Sequence, residues 1–380
     1  MSKNWHTIWG SMASNITLLA LTAENHMQQL SVKSSINGAG LRLHLSNQYN
    51  TEKMIFSEIK VQVAGKEQTM EEAVTLKGQA EICLEAGETV YSDELSLSVK
   101  AGDIIRVSTE IKQEMKIPEA VICIDAGLAK VAAHGEMRSA LAPGPMQMPE
   151  EMKDFKYLYG VDRIETKEEG IKEIAFFGDS ITQMGFWSEP LSVLLNEAYP
   201  GKVSTYNCGI AGNRVLHDSP EVAAGMFGEA AITRFEKSVF GERQPAVVIV
   251  QIGINDLCHP YVYGLSDQIV DSASLIEGLT SLADTAHRHQ AKIICATLLP
   301  YKGYETWNQE MEDVRQQVND WVRNNEAFDD YFDFAEILRD EADHEKMPNG
   351  THRGDWLHPN AQGGMTLAQN IEKEKLTKFI

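Results

Sequence analysis

The spacing of apolar residues changes near residue 170, and this change limits the possible folds more than any other feature of the chain. Before it, apolar residues recur at every second position in short runs, for example Leu41, Leu43 and Leu45. Turn-forming pairs such as Asn37-Gly38 separate these runs. Alternation with period two indicates strands with one buried face, and many short strands of this kind predict an antiparallel β-sandwich of the jelly-roll type.

The second half of the sequence has a different pattern, which starts at about Lys172. Continuous apolar runs of strand length at 174–177, 247–250 and 293–298 alternate with segments of helical period. One apolar helix face is formed by Leu275, Leu279, Leu282 and Ala286. Apolar strands separated by amphipathic helices predict a parallel sheet covered on both sides, hence a three-layer α/β domain. Ligands of such domains bind beyond the carboxyl ends of the strands.

The length of the chain agrees with two domains, because 380 residues exceed the usual size of one. We place the boundary within 166–170. The sequence then predicts a β-sandwich domain at residues 1–168 and an α/β domain at residues 169–380. Within the first, the proline-containing segment 140–153 is predicted to be a loop.

Charge and cysteine content narrow the possible functions. The chain has 34 Lys and Arg residues against 55 Asp and Glu residues, a net charge of −21, so its surface repels nucleic acids and anionic membranes. The five cysteines are far apart and include no CxxC pair, which predicts neither a disulfide framework nor a zinc site. The apolar run at 16–21 is too short for a secretion signal and follows a single charge, Lys3. We therefore expect a cytoplasmic protein with no membrane or nucleic-acid partner.

A short motif, Gly178-Asp179-Ser180, directly follows the apolar run that ends at Phe177. A turn of small residues at this point places Ser180 at the carboxyl end of a buried strand and at the start of a helix. A nucleophile there has unpaired helix N–H groups beside it. A serine that caps the helix N terminus is the alternative interpretation.

Two further motifs place hydrogen-bond donors at strand ends. Gly212, in the segment 207–214, has a backbone N–H that a substrate oxygen can approach closely because glycine has no side chain. Asn255 follows the apolar run 247–252 and can aim its amide across the end of the sheet, while Asp256 can hold the loop. Ordinary turns, including an Asx-turn at Asn255, are the alternatives.

The fourth motif, Asp355-Trp356-Leu357-His358, lies near the C terminus. The three-residue offset on a tight turn allows the Asp355 carboxylate to bind one imidazole nitrogen of His358. The other nitrogen then faces the end of the sheet. A polar turn without a catalytic role is the alternative.

Taken together, the four motifs resemble the four sequence blocks of the SGNH (GDSL) hydrolases, and the resemblance spans about residues 171–370. It implies that Ser180 is the nucleophile of a triad completed by His358 and Asp355. It also implies that Gly212 and Asn255, together with the Ser180 N–H, form the oxyanion hole. The implied chemistry, ester hydrolysis through an acyl-enzyme, requires no metal and no cofactor.

The resemblance extends into the first half of the chain. The stretches 32–47, 88–99 and 209–216 are similar to two-domain SGNH proteins grouped with acetylxylan esterases. This similarity implies a β-sandwich preceding the hydrolase domain at 169–380, and it points to acetyl esters on sugars. The expected partner is therefore a small-molecule or oligosaccharide ester, and the sequence leaves the oligomeric state open.

Candidate substrate-binding residues lie close to the motif residues in the sequence. They are Asp179, Asn213, Trp187 and Trp356. Exposed aromatic side chains can stack on sugar rings, whereas core packing is the alternative for each of them.

Other functions are compatible with parts of the sequence. The same triad would serve a general short-chain carboxylesterase, a lysophospholipase or an acyltransferase. A different class of function is that of a carbohydrate-binding module attached to an inactive hydrolase. The chain has no GxxxxGK, GxGxxG or G-x-S-x-G motif, which excludes a phosphate-binding loop and the α/β-hydrolase nucleophile elbow as templates. The histidines lack the spacing of a metal site.

Overall fold

The structure is a computed structural model that describes residues 4–66, 68–123, 129–139 and 155–380. The chain divides into two compact units. The first contains the residues up to 171 together with 195–206, and the second contains 172–194 and 207–380. The loop predicted at 140–153 lies outside the described residues, and the boundary predicted at residue 168 stays a prediction.

Within the first unit, the described residues up to 167 form strands almost exclusively, because apolar residues alternate with polar ones there. Its strands are β1 (Trp5–Gly10), β2 (Ala13–Asn15), β3 (Leu21–Lys33), β4 (Gly38–Ser46), β5 (Met54–Phe56), β6 (Glu58–Ala64), β7 (Thr69–Ala73), β8 (Ile82–Leu84), β9 (Thr89–Tyr91), β10 (Leu95–Val99), β11 (Ile104–Ile111), β12 (Met115–Ile117), β13 (Glu119–Cys123), β14 (Ala129–Ser139), β15 (Lys156–Leu158) and β16 (Val161–Lys167). A 3₁₀ turn covers Thr17–Leu19.

Two large antiparallel sheets form this unit. One has the order β1-β16-β4-β10, with β9 paired to β4, and the other has the order β12-β3-β11-β6-β7, with β14 paired to β3. Smaller sheets join β15-β13-β2 and β5-β8. Leu43 of the first sheet and Val61 and Val107 of the second belong to one buried cluster. The predicted all-β sandwich is therefore confirmed.

The C-terminal part of the chain has continuous buried strands between helices. The strands are β17 (Lys172–Gly178), β18 (Val203–Gly209), β19 (Val247–Gln251), β20 (Lys292–Ala296) and β21 (Asp330–Phe332). The helices are α1 (Ser180–Gln183), α2 (Ser188–Ala198), α3 (Ala231–Phe240), α4 (Ile254–Val262), α5 (Ser272–Arg288), α6 (Gln309–Asn324), α7 (Phe334–Ile337), α8 (Ala361–Asn370) and α9 (Lys373–Thr377). Short 3₁₀ turns cover Glu221–Ala223 and Ser266–Gln268.

These strands form one sheet in the order β18-β17-β19-β20-β21, and β17, β19, β20 and β21 pair in parallel. The predicted α/β domain with a parallel sheet is confirmed. From β17 the chain first moves to one side, to β18, and then crosses to the other side, to β19. Doubly wound sheets bind ligands at such a reversal, beyond the carboxyl ends of the two strands that flank it, which are β17 and β19 in this sheet.

A helix that crosses a bilayer needs about 20 predominantly apolar residues, and this requirement can be applied to the described helices. None of them is both long enough and apolar enough to cross a bilayer.

Candidate active site

Ser180 is the first residue of helix α1, immediately beyond β17. The cap of this helix is Asp179, whose side chain accepts a hydrogen bond of 3.0 Å from the Ile181 N–H. The interpretation of Ser180 as the capping residue is therefore wrong. Glycine is required at 178, because a Cβ there would lie 2.2 Å from the Gln251 carbonyl oxygen. The tight packing of Gly178 fixes the turn that carries Ser180.

His358 and Asp355 complete a hydrogen-bonded chain with Ser180. The Ser180 Oγ lies 2.8 Å from His358 Nε2, and His358 Nδ1 lies 2.6 Å from Asp355 Oδ2. When Nδ1 carries the proton and donates it to the carboxylate, Nε2 is free to accept from the serine hydroxyl. Residues that are 178 positions apart in the chain thus meet at one end of the sheet.

The turn around Asp355 also determines its charge. Its Oδ1 accepts hydrogen bonds of 3.0 Å from the backbone N–H groups of Leu357 and His358. Burial alone would raise the pKa of Asp355, but its hydrogen bonds and its attraction to His358 outweigh burial and lower the pKa to about 2. Asp355 is therefore ionised at neutral pH and can accept the hydrogen bond from His358 Nδ1.

Gly212 lies in the loop that follows β18, with a φ of 73°. A side chain at this position would be strained and would also collide with Phe227, because a Cβ would lie 2.3 Å from the ring. The loop is tied to the turn that carries the serine. Ile210 N–H donates to the Gly178 carbonyl at 3.1 Å, and Ala211 N–H donates to Gln183 Oε1 at 2.9 Å.

Asn255 lies in the first turn of α4 and connects to the same loop. Its Nδ2 donates a hydrogen bond of 3.1 Å to the Asn213 carbonyl, which uses one of its two amide protons. Asp256 accepts from the backbone N–H groups of Val215 and Leu216 at 2.8 and 3.0 Å. Asp256 thus holds the loop, as predicted, and Asn255 is brought to the residue next to Gly212.

The structure corrects the role predicted for Trp187. Its ring is fully buried and makes edge-to-face contacts with Phe176 and Phe334, each with ring centroids 5.2 Å apart. Trp187 is therefore a core residue of the α/β unit and does not contact a substrate. The periodicity of apolar residues in the sequence could not show whether Trp187 is buried or exposed, because both buried and exposed aromatic residues occur after strand ends.

The roles predicted for Asn213 and Asp179 are corrected as well. Asn213 is fully buried, and its Nδ2 donates to the carbonyls of Phe227 and Glu229 at 2.8 Å each. Its Oδ1 accepts from Arg234 Nε at 2.9 Å. Asp179 is also fully buried and caps α1. Both side chains organise the loops from buried positions, where a substrate cannot stack on them or replace their hydrogen bonds.

Trp356 is the one candidate substrate-binding residue that stays partly exposed. It lies inside the Asp355–His358 turn with a φ of 63°, and its ring stacks on His352 with centroids 4.1 Å apart. Gly303 also packs against the indole, because a Cβ there would lie 2.7 Å from it. The indole is therefore held in a fixed position beside the triad.

Arg234, on α3, was missed by the motif analysis. It is 4% exposed and donates to the carbonyls of Gly178 and Cys208 at 2.9 Å each, as well as to Asn213. A sequence signal did exist. Arg234 lies on the same helix face as the apolar residues Ala231 and Phe235, and this position predicts that the arginine is buried.

Two buried carboxylates lie beside the candidate active site. Burial raises the pKa of Asp179 to about 7, against the hydrogen bond from Ile181, and it raises the pKa of Asp256 to about 6. Among the described residues, no group of three or more His, Cys, Asp or Glu side chains is arranged to hold a metal ion.

The second half of the chain is similar to known proteins. Residues 176–364 match the model of the GDSL-like lipase/acylhydrolase family. A GDSL-like lipase from Bacteroides thetaiotaomicron is 19% identical, with 55% of this chain and 89% of that chain covered and a TM-score of 0.40. An acetyl xylan esterase from Geobacillus stearothermophilus is 22% identical, with 54% and 94% covered and a TM-score of 0.41. No curated protein matches the chain.

The matched region contains all of the motif residues placed above, from the serine turn that follows β17 to the Asp355–His358 turn. The family match and the geometry of these residues agree. Through this domain the chain belongs to the GDSL-like lipase/acylhydrolase family, the SGNH hydrolases, and is a carboxylic ester hydrolase.

Proposed function

We propose that this protein is a serine esterase that hydrolyses short-chain acyl esters, acetyl esters on carbohydrate in particular, through an acyl-enzyme. The observation that carries the proposal is the hydrogen-bonded chain from Ser180 through His358 to Asp355, with distances of 2.8 and 2.6 Å. These distances match those of a nucleophile, its base and the group that orients the base.

In the first half of the reaction, His358 Nε2 accepts the proton of the Ser180 hydroxyl while Oγ attacks the ester carbonyl carbon. Asp355, ionised because its pKa is lowered to about 2, stabilises the imidazolium that forms. The carbonyl oxygen becomes an oxyanion, which accepts hydrogen bonds from the N–H groups of Ser180 and Gly212 and from the Asn255 amide.

Collapse of this tetrahedral intermediate breaks the bond to the alcohol oxygen, and His358 gives its proton to the departing alcohol. Water then attacks the acyl-enzyme with His358 again as the base, which releases the acid and restores Ser180. The second amide proton of Asn255 is the one proposed for the oxyanion, because the first is used on the Asn213 carbonyl.

The proposal of a carbohydrate ester has separate support. The stretches 32–47, 88–99 and 209–216 resemble two-domain acetylxylan-esterase-like proteins. The net charge of −21 disfavours polyanionic substrates. Trp356 offers a partly exposed ring beside the triad, and aromatic rings of this kind pack against the apolar faces of sugars.

The deciding experiment compares kcat/KM for p-nitrophenyl acetate, butyrate and octanoate with that for an acetylated xylo-oligosaccharide. We expect the acetyl esters to be the best substrates and the oligosaccharide to have the lowest KM. A preference for octanoate would favour the lysophospholipase alternative, and equal rates on all short esters would favour a general carboxylesterase.

The Ser180→Ala variant tests the nucleophile itself. We expect kcat to fall by a factor on the order of 10⁶, as for other serine hydrolases without their nucleophile, with little change in Tm. Ser281→Ala, on α5, is the matched control and should keep full activity. Unchanged turnover of Ser180→Ala would overturn the proposed mechanism.

A further inference from the structure

We infer that Arg234 is a positioning residue of the esterase. Its hydrogen bonds set the geometry of the proposed oxyanion hole. The inference rests on the proposed function, because it assigns catalytic donors to Gly212 and Asn255. Arg234 lies on α3, more than twenty residues beyond the glycine loop and more than twenty before Asn255. It contacts no reacting atom in the proposed mechanism.

The guanidinium joins three segments on which the proposed oxyanion hole depends, through two backbone carbonyls and one side-chain oxygen. Nη2 donates to the carbonyl of Gly178, two residues before Ser180, at 2.9 Å. Nη1 donates to the carbonyl of Cys208, at the end of β18, at 2.9 Å. Nε donates to Oδ1 of Asn213, the residue after Gly212, at 2.9 Å. Because the guanidinium is planar and rigid, these contacts fix the relative positions of the two strand ends and the loop.

The guanidinium is itself held in place. Its Cζ lies 4.1 Å from the centre of the Phe177 ring, which supplies a cation–π contact from the strand below. The same ring makes an edge-to-face contact with Phe235, the next residue on α3, with centroids 4.8 Å apart. Helix, strand and guanidinium therefore form one packed unit.

Asn213 links Arg234 to both candidate oxyanion donors, the Gly212 N–H and the Asn255 amide. Its carbonyl accepts the hydrogen bond from Asn255 Nδ2, so the direction of the Asn255 amide depends on where Asn213 lies. Its Nδ2 holds the Phe227 carbonyl at 2.8 Å, and the Phe227 ring packs directly against Gly212. A shift of Asn213 would thus move both donors together.

Such a shift matters for catalysis because oxyanion donors act only within a narrow distance range. Donors must lie about 2.7–3.1 Å from the oxygen of the tetrahedral intermediate. Misplacement by about 1 Å can cost on the order of 10²-fold in rate. Lysine cannot replace Arg234 here, because a single ammonium on a flexible stem does not present donors in the fixed fork that the three acceptors require.

The test compares Arg234→Lys with the matched control Arg243→Lys, using kcat and KM for p-nitrophenyl acetate. Arg243 lies just beyond the same helix, and its Nη2 donates to the Ser238 carbonyl at 2.7 Å. We expect kcat of Arg234→Lys to fall by roughly 10–100-fold with a change in KM below about threefold, because the transition state is affected more than substrate binding. Arg243→Lys should stay within about twofold of the wild type.

A second readout separates positioning from general stability. A phenylboronic acid forms a tetrahedral adduct with a catalytic serine, so its affinity reports the oxyanion hole. We expect its Ki to rise in parallel with the loss of kcat/KM in Arg234→Lys, whereas loss of stability alone would lower the fraction of active enzyme and leave Ki unchanged. An unchanged Ki, or a folded Arg234→Lys with wild-type kcat, would overturn the inference.

Asn213→Ala provides the decisive variant if Arg234→Lys does not fold. It removes one acceptor of the guanidinium and leaves the other two, and we expect the same pattern of lower kcat with little change in KM. Wild-type kcat in Asn213→Ala would overturn the inference. Absence of Ser180-dependent esterase activity in the wild type would overturn the proposed function and this inference together, whereas a fully active Arg234→Lys overturns the inference alone.

Discussion

The β-sandwich and the α/β unit place their polar side chains in different ways. In β6 of the sandwich, buried Ile59, Val61 and Val63 alternate with partly exposed residues. In β19 of the α/β unit, every residue of Val247–Gln251 is buried. The central strands of a parallel sheet covered on both sides are mostly apolar, and in β19 the single polar residue, Gln251, lies at the carboxyl end. The sandwich distributes its polar side chains along its outer faces instead.

The outer face of one sandwich sheet illustrates the difference. Glu165, on β16, is 3% exposed and accepts hydrogen bonds from Arg42 and Arg163 at 2.7 and 3.1 Å. The Arg42 guanidinium also lies over the rings of Trp5 and Tyr91, 4.3 and 3.6 Å from their centres. Every charged group in this cluster has a partner within it. We therefore interpret it as a stabilising network, in contrast to the proposed reactive network of strand-end residues in the α/β unit.

Among the variants that compare the two regions, the largest expected effect is a loss of activity. Asp355→Asn should lower kcat by a factor of about 10⁴, because an amide at this position favours the wrong tautomer of His358. The Tm should change little, since Asp355 is partly exposed and its turn keeps an oxygen acceptor. Steady-state kinetics and a thermal melt measure both quantities.

Asp320→Asn, a change of the same kind on the exposed side of α6, is the control and should keep full activity. If Asp355→Asn retained most of its kcat, the strand-end cluster would not be a triad. The distinction between a stabilising and a reactive region would then fail.

A smaller loss of activity is expected from Asn255→Ala. Removal of one oxyanion donor should lower kcat by about 10²–10³-fold while KM stays nearly constant, because the donor acts on the transition state. Asn370→Ala, on the exposed face of α8, should leave both constants unchanged. A rise in KM at constant kcat would instead place Asn255 in ground-state substrate binding.

These two variants concern residues that the sequence already indicated, and the reason is physical. Asp355 and His358 are three residues apart, so their contact is local and follows from a tight turn. Ser180 and Asn255 each follow a continuous apolar run, and parallel strands bring their carboxyl ends to one edge. The position of a catalytic group at a strand end can thus be predicted without the coordinates of its neighbours.

The rest of the site could not be predicted in this way. Arg234 reaches Gly178 from 56 positions away and Asn213 from 21, and no spacing rule connects a helix face to these strand ends. Trp187 is a core residue because Phe176 and Phe334 enclose it, and both lie on elements whose packing the sequence leaves open. In the sandwich the partners of Glu165 come from β4 and from β16 itself, so pairing depends on strand register.

A third variant should affect stability without affecting activity. Glu165→Gln replaces a buried acceptor of two guanidinium groups with an amide, which should lower the free energy of unfolding by about 1–3 kcal/mol. Turnover of p-nitrophenyl acetate should stay at the wild-type value. Urea unfolding and steady-state kinetics on the same preparation test both expectations.

The control substitution is Glu85→Gln. Glu85 forms an exposed ion pair with Lys53 on the sandwich, and exposed ion pairs contribute little to stability. A loss of kcat in Glu165→Gln without a loss of stability would show that the sandwich takes part in the reaction. The interpretation that the sandwich cluster only stabilises the fold, while the α/β unit carries out the reaction, would then be wrong.

The smallest effect concerns Asp179, which is buried like Glu165 but belongs to the reactive region. Its folded-state pKa is raised to about 7 from 3.8, so between about pH 4 and pH 7 the folded protein keeps a proton that the unfolded chain has lost. Asp179 therefore makes the protein less stable as pH rises through this window. Asp179→Asn keeps the oxygen that caps α1 and removes the charge, so the variant should lose less stability than the wild type between pH 5 and pH 8.

The measurement is the free energy of unfolding in urea at both pH values, and the informative quantity is the difference between the two proteins. Buried histidines act in the opposite sense, because burial lowers the pKa of His259 to about 3 and the unfolded chain then binds the additional proton. These contributions cancel in the difference. Asp284→Asn, on the exposed face of α5, should leave the pH dependence unchanged. If Asp179→Asn has the same pH dependence as the wild type, Asp179 is ionised throughout this range, and its charge is stabilised by the site around Ser180 as effectively as by water.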